Sequence, residues 1–101
     1  MIQEVIKEVG VDDEGRIFIK PQESKFMYIY REAVGVKWNS EISRLESPIP
    51  KEWSQLEWFN QILKACLNQG VDLTISAETT WLNVPEEIKD SLKMSQGKSQ
   101  K

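Results

Sequence analysis

The sequence has no histidine and a single cysteine, Cys66, in 101 residues. Imidazole is the side chain whose ordinary pKa lies closest to neutrality, and imidazole and thiolate are the usual ligands of transition metals. Their scarcity closes most acid–base, nucleophilic and transition-metal chemistry, and no catalytic residue, metal or cofactor is expected. A lone cysteine cannot form an internal disulfide. No apolar run approaches a membrane span, and Met1-Ile2-Gln3-Glu4-Val5-Ile6-Lys7 lacks the basic start and apolar stretch of a signal peptide. These absences predict a cytoplasmic protein. Basic stripes are missing too. Residues 1–53 carry 8 basic and 10 acidic side chains, and residues 54–101 carry 5 and 6, for a net charge of −3. Nothing here would neutralise a phosphate backbone or an anionic bilayer, so neither nucleic acid nor membrane is an expected partner.

What is present is apolar and aromatic. Hydrophobic residues make up 40% of the chain, with four tryptophans. That balance, at this length, predicts one small globular domain over residues 1–94 and a polar, disordered tail over 95–101.

Val9-Gly10-Val11 and Ile17-Phe18-Ile19 alternate on either side of Asp12-Asp13-Glu14-Gly15, the pattern of a β-hairpin whose first strand starts near residue 4, although Ile2, Val5, Ile6 and Val9 also fit a helical stripe. Pro21 ends the second strand. Phe26-Met27-Tyr28-Ile29-Tyr30 is rich in strand-forming residues and apolar on both alternating faces, which predicts a central strand covered on both sides. Val34, Val36 and Trp38 alternate next, with Gly35 as a bulge or turn, and a short strand is expected within Ile42–Leu45. Ser47-Pro48-Ile49-Pro50 breaks the pattern.

A helix is then fully punctuated. Ser54-Gln55-Leu56-Glu57 is a capping box, Trp53 and Trp58 occupy the staple positions, and Gly70 stands at the left-handed C-terminal position. Leu56, Phe59, Ile62, Leu63, Cys66 and Leu67 form its apolar stripe. Val71, Leu73, Ile75 and Ala77 predict a strand with those four side chains inward. Val84-Pro85-Glu86-Glu87-Ile88 opens a second, shorter helix with Val84, Ile88 and Leu92 as its edge. The fold expected is α+β: a two-layer sandwich in which a mostly antiparallel sheet, begun by an N-terminal meander, packs on one main helix.

Several groups could carry chemistry, and each has a plainer explanation. Asp12-Asp13-Glu14 is a solvated turn and Glu86, Glu87 and Asp90 complement a helix start. Gly97-Lys98-Ser99 resembles the end of a phosphate loop, but Leu92 stands where the first glycine is required. Cys66 lies on an apolar stripe with no histidine to activate it. Tyr28 and Tyr30 fit either core packing or, with Arg31 or Arg44, a ligand surface. Trp38, Trp53, Trp58 and Trp81 fit core and staple positions, or anchors for a partner, because tryptophan is enriched at binding hot spots.

Gly15-Arg16 opening a strand, Tyr28-Ile29-Tyr30, Val36-Lys37-Trp38 followed by prolines, and a helix closing at Gly70 before Val71-Asp72-Leu73 together resemble two groups. One is the small immunity proteins of bacterial polymorphic toxin systems, the other the mobile gene-cassette proteins. The resemblance covers residues 15–75, although ten residues separate Trp38 from Pro48, a wider spacing than that pattern has. It implies a small, acidic, non-catalytic binder of a cognate toxin. The leading expectation is therefore a protein-binding module, with Trp38, Trp53, Trp58, Trp81, Tyr28 and Tyr30 as candidate partner contacts. The alternatives are a small-molecule binder with an aromatic pocket between sheet and helix, and a structural homodimer.

Overall fold

The hairpin forms where alternation and turn residues place it. In the computed structural model, which describes residues 2–99 and side chains over 2–95, strand β1 (Ile2–Val11) runs antiparallel to β2 (Ile17–Pro21). Asp12 closes the turn: its Oδ1 accepts the amides of Glu14 and Arg16, both at 2.9 Å, and Gly15 takes a φ of +85°. Strand β1 starts two residues earlier than expected and carries a bulge between Ile6 and Glu8.

A second hairpin, β3 (Lys37–Asn39) and β4 (Arg44–Glu46), places β4 against β2 and leaves β3 at the sheet edge. Buried Ser47 prolongs the β2–β4 ladder after β4 ends. Its amide donates to the Ile17 carbonyl (3.0 Å) and its Oγ accepts the Ile17 amide (3.1 Å).

The helix α1 (Gln55–Asn68) begins with both bonds of the capping box: the Glu57 amide to Ser54 Oγ (3.2 Å) and the Ser54 amide to Glu57 Oε1 (2.9 Å). It ends at Gly70, at φ +91°, whose amide donates to the Leu67 carbonyl (2.9 Å). The chain then re-enters the sheet as β5 (Val71–Thr74), parallel to Ile2–Val5, and β6 (Thr80–Leu82), parallel to Glu8–Gly10. Both lie along the same edge of β1. Residues 75–79 leave that edge, and buried Thr79 fills the gap: its Oγ1 donates to the Ile6 carbonyl (2.7 Å) and accepts the Ser76 amide (3.0 Å). The strand order is β3-β4-β2-β1-β5, with β6 also on β1. This is the expected α+β architecture, with three antiparallel and two parallel pairings.

Several local expectations are corrected. Residues 26–30 are not a strand. Successive tight turns run through them, from the Ile29 amide on the Phe26 carbonyl (3.0 Å) to the Val36 amide on the Ala33 carbonyl (3.2 Å), with one 3-10 turn at Ile29–Arg31. Phe26, Ile29, Ala33 and Val36 are buried, a spacing of three to four residues, whereas Met27, Tyr28, Tyr30 and Val34 are exposed. The mixed pattern that suggests a two-faced strand is a coiled segment with one face inward. The strand expected at Ile42–Leu45 starts at Arg44, and Ile42 is exposed in the turn.

The stripe and strand after α1's start are also narrower than expected: Leu67 is exposed on α1, and Ala77 is exposed in the loop after β5. The second helix is not short. Helix α2 (Glu86–Ser99) matches α1 in length and takes in most of the segment expected to be a disordered tail; residues 100–101 lie outside the described residues.

The core joins Ile6, Val9, Ile17, Ile19, Leu45, Val71 and Leu73 of the sheet to Phe59, Ile62, Ala65 and Cys66 of α1, Leu92 of α2, and the four buried residues of segment 26–36. The layer over the sheet is therefore α1 together with that segment. Phe18, on the alternate positions of β2, stays outside this cluster. Its ring lies over Gly10, where a Cβ would come within 2.1 Å of it, and under the Arg44 guanidinium at 4.0 Å.

Candidate interaction surface

Segment 26–36 turns four side chains inward because these apolar residues recur every three to four positions, and the same turns force the intervening ones out. Tyr28 is 53% exposed, Tyr30 55% and Val34 90%. The two tyrosine rings lie 6.4 Å apart, and the Arg31 guanidinium sits 4.8 Å from the Tyr28 ring and 5.9 Å from that of Tyr30. Gly35, at φ +89°, turns the chain back beside Pro48, whose Cγ a Cβ at Gly35 would approach to 3.2 Å.

Glu4 fastens the start of this segment to β1. Its Oε2 accepts the amides of Glu23 (3.0 Å) and Ser24 (3.1 Å), and its Oε1 accepts the Ser24 hydroxyl (2.6 Å). Burial pushes this carboxyl's pKa up, but the Ser24 hydroxyl and the backbone amides outweigh burial and hold it below the ordinary glutamate value.

The tryptophans are not one site. Trp53 and Trp58 meet at the start of α1 with ring centroids 4.7 Å apart, as the staple positions require. Trp53 is exposed and Trp58 half-buried, and with Ile49, Lys51 and Glu52 they line a shallow cleft. Half-buried Trp38, on β3, packs edge-to-face on Phe26 at 5.9 Å. Half-buried Trp81, on β6, lies under the ammonium groups of Lys89 (5.4 Å) and Lys93 (5.9 Å). β3 lies at one edge of the sheet and β6 on the far side of β1, so Trp38 and Trp81 are not neighbours.

An open groove of about 440 Å³ runs among Gly15, Pro50, Leu56 and Ile88, with Glu14 and Ser91 on its rim. It lies at the N-terminal end of α1 rather than between sheet and helix. Gln55 Nε2 crosses it to the Gly15 carbonyl (2.9 Å). Two acids of the nearby turn are occupied: Asp12 caps the turn, and Arg16 reaches Asp12 at 3.6 Å and Glu14 at 3.3 Å. Cys66 is buried, and burial, with the nearby Glu4 charge, pushes its thiol far above the range in which thiolate forms.

A family model described as Integron Cassette Protein Hfx_Cass5 matches residues 4–79. The chain belongs to that family. The Hfx_Cass5 match spans β1 to β5 and includes Tyr28, Tyr30, Trp38, Trp53 and Trp58, while Trp81 and α2 fall beyond it. A solved structure of an integron cassette protein Hfx_Cass5, from the mobile metagenome of the North West Arm sewage outfall, is 43% identical in sequence. The alignment covers 96% of this chain and 98% of that one, with a TM-score of 0.49. No curated protein matches significantly. The gene-cassette side of the resemblance is thus established; the likeness to immunity proteins is carried no further by these relatives.

The surface of segment 26–36 is the feature that sequence reading missed as a unit. Tyr28 and Tyr30 stand out singly, but Met27, Arg31 and Val34 join them only once the turns are known. The spacing of Phe26, Ile29, Ala33 and Val36 was the available signal.

Proposed function

We propose that the protein is a non-catalytic module of the bacterial cytoplasm that works by binding another protein, in the manner of an immunity-type inhibitor. One observation carries the reading. Met27, Tyr28, Tyr30 and Val34 expose apolar surface from one short segment, with the two tyrosine rings 6.4 Å apart, although the same segment buries four other apolar residues. Exposed apolar clusters of this kind mark interaction sites more often than scattered surface residues do. Tyrosine and arginine are also the residue types that dominate binding energy at protein interfaces. The scarcity of imidazole and thiol in the chain supports a role without catalysis.

The test is affinity capture from a lysate of the source bacterium, using the wild-type protein and the Tyr28→Ala/Tyr30→Ala variant. The expected result is one stoichiometric protein held by the wild type and lost by the variant, with the thermal midpoint unchanged. Each tyrosine that is a hot spot should cost on the order of 2 kcal/mol of binding. Equal retention by the variant, or an empty wild-type eluate, contradicts the reading.

A further inference from the structure

We propose that the Met27–Val34 face takes a peptide segment of its partner that presents an aspartate or glutamate among apolar side chains, and that Arg31 reads the carboxylate. This rests on the binding reading above and names its ligand.

The chain has three arginines. Arg16 is paired with Asp12 and Glu14, and Arg44 with Glu46 at 2.7 Å. Arg31 alone has no carboxylate partner among the described residues. Its sequence neighbour Glu32 is turned away, accepting Gln69 Nε2 at 3.3 Å. Yet Arg31 is restrained, its guanidinium lying against the Tyr28 ring and within 5.9 Å of the Tyr30 ring centre. A guanidinium held beside aromatic rings and without an internal carboxylate keeps N–H donors for an incoming one, which it can receive through two parallel hydrogen bonds. Exposed Met27 and Val34 lie on the same segment and offer no hydrogen bonds, so they suit aliphatic or aromatic neighbours of that acid. A phosphate backbone, with a charge at every nucleotide, fits less well: Glu23 precedes the segment, Glu32 lies within it, and the chain as a whole is acidic.

The immobilised full-length protein is screened with a displayed library of random dodecapeptides, and with oligothymidylate as a nucleic-acid probe. Enriched peptides should carry Asp or Glu beside Leu, Ile, Phe or Tyr. Their affinity should fall roughly tenfold or more in Arg31→Gln and less in Arg31→Lys, and should weaken with added salt. Glu78→Ala, in the exposed loop between β5 and β6, should bind as the wild type does. Peptides lost by Tyr28→Ala/Tyr30→Ala but indifferent to Arg31→Gln overturn the acid-reading role and leave the binding face standing. No enrichment, or peptides that still bind the double-tyrosine variant, overturns both. Preference for oligothymidylate over every peptide overturns the choice of ligand. All four substituted residues are solvent-exposed, and a circular dichroism melt confirms that each variant is folded.

Discussion

At Glu4, two opposing effects act on one carboxyl. Burial disfavours its charge, and three hydrogen bonds from residues 23 and 24 favour it more strongly. Its pKa is therefore lower folded than unfolded, so it stabilises the fold at pH above the unfolded value. That contribution is lost as pH falls through the folded value. Urea denaturation of the wild type should show a loss of stability on acidification from neutrality into the range below pH ~4. Glu4→Gln should start less stable at neutral pH and show a smaller loss on acidification. Gly10 is a second residue whose identity is dictated by a neighbour. A methyl group there would meet three Phe18 ring atoms at 2.1, 2.5 and 2.9 Å, and that ring is only 2% exposed. Gly10→Ala should cost about 1–3 kcal/mol by overpacking, and Phe18→Leu in the same chain should recover part of it in a denaturant titration.

Elements show the same logic in their ends and gaps. The break between β5 and β6 would leave the Ile6 carbonyl without a strand partner, and the Thr79 hydroxyl supplies the missing donor. Thr79→Val keeps the shape and removes that donor, so it should cost about 1–3 kcal/mol, and hydrogen exchange should speed up at the Ser76 amide, which bonds to the same hydroxyl. Helix α1 and the first hairpin were legible in the sequence because their ends are marked by residues with one strong conformational preference: Asp12 and Gly15 at the turn, Ser54, Glu57 and Gly70 around the helix. Segment 26–36 was not, because Phe, Tyr and Ile favour strands locally and no cap or turn residue separates the two outcomes before Gly35. What decided it was tertiary. The sheet beside α1 needed a cover, and four apolar residues three to four apart supply one without a ladder partner. The candidate surface was only half legible for the same reason, since Met27, Arg31 and Val34 join Tyr28 and Tyr30 through those turns.

For the molecule as a whole, the division of labour is between a closed interior and the exposed side chains of segment 26–36. Core residues from β1, β2, β4 and β5, both helices and segment 26–36 meet in one cluster, whereas Tyr28 and Tyr30 are more than half exposed beside Arg31. Removing the two tyrosine rings should therefore leave global stability within about 0.5 kcal/mol, as expected of exposed positions, in the same denaturant titration. No helix among the described residues is long and apolar enough to cross a membrane. The most direct test of the central claim, that segment 26–36 is the surface that meets a partner protein, is site-specific photocrosslinking in the source organism. A benzophenone amino acid is placed at Tyr30, or at Glu78 in the exposed loop between β5 and β6. The account predicts a discrete protein adduct of higher mass from position 30 and none from position 78. An adduct from position 78 alone, or from both positions equally, or from neither, would contradict it.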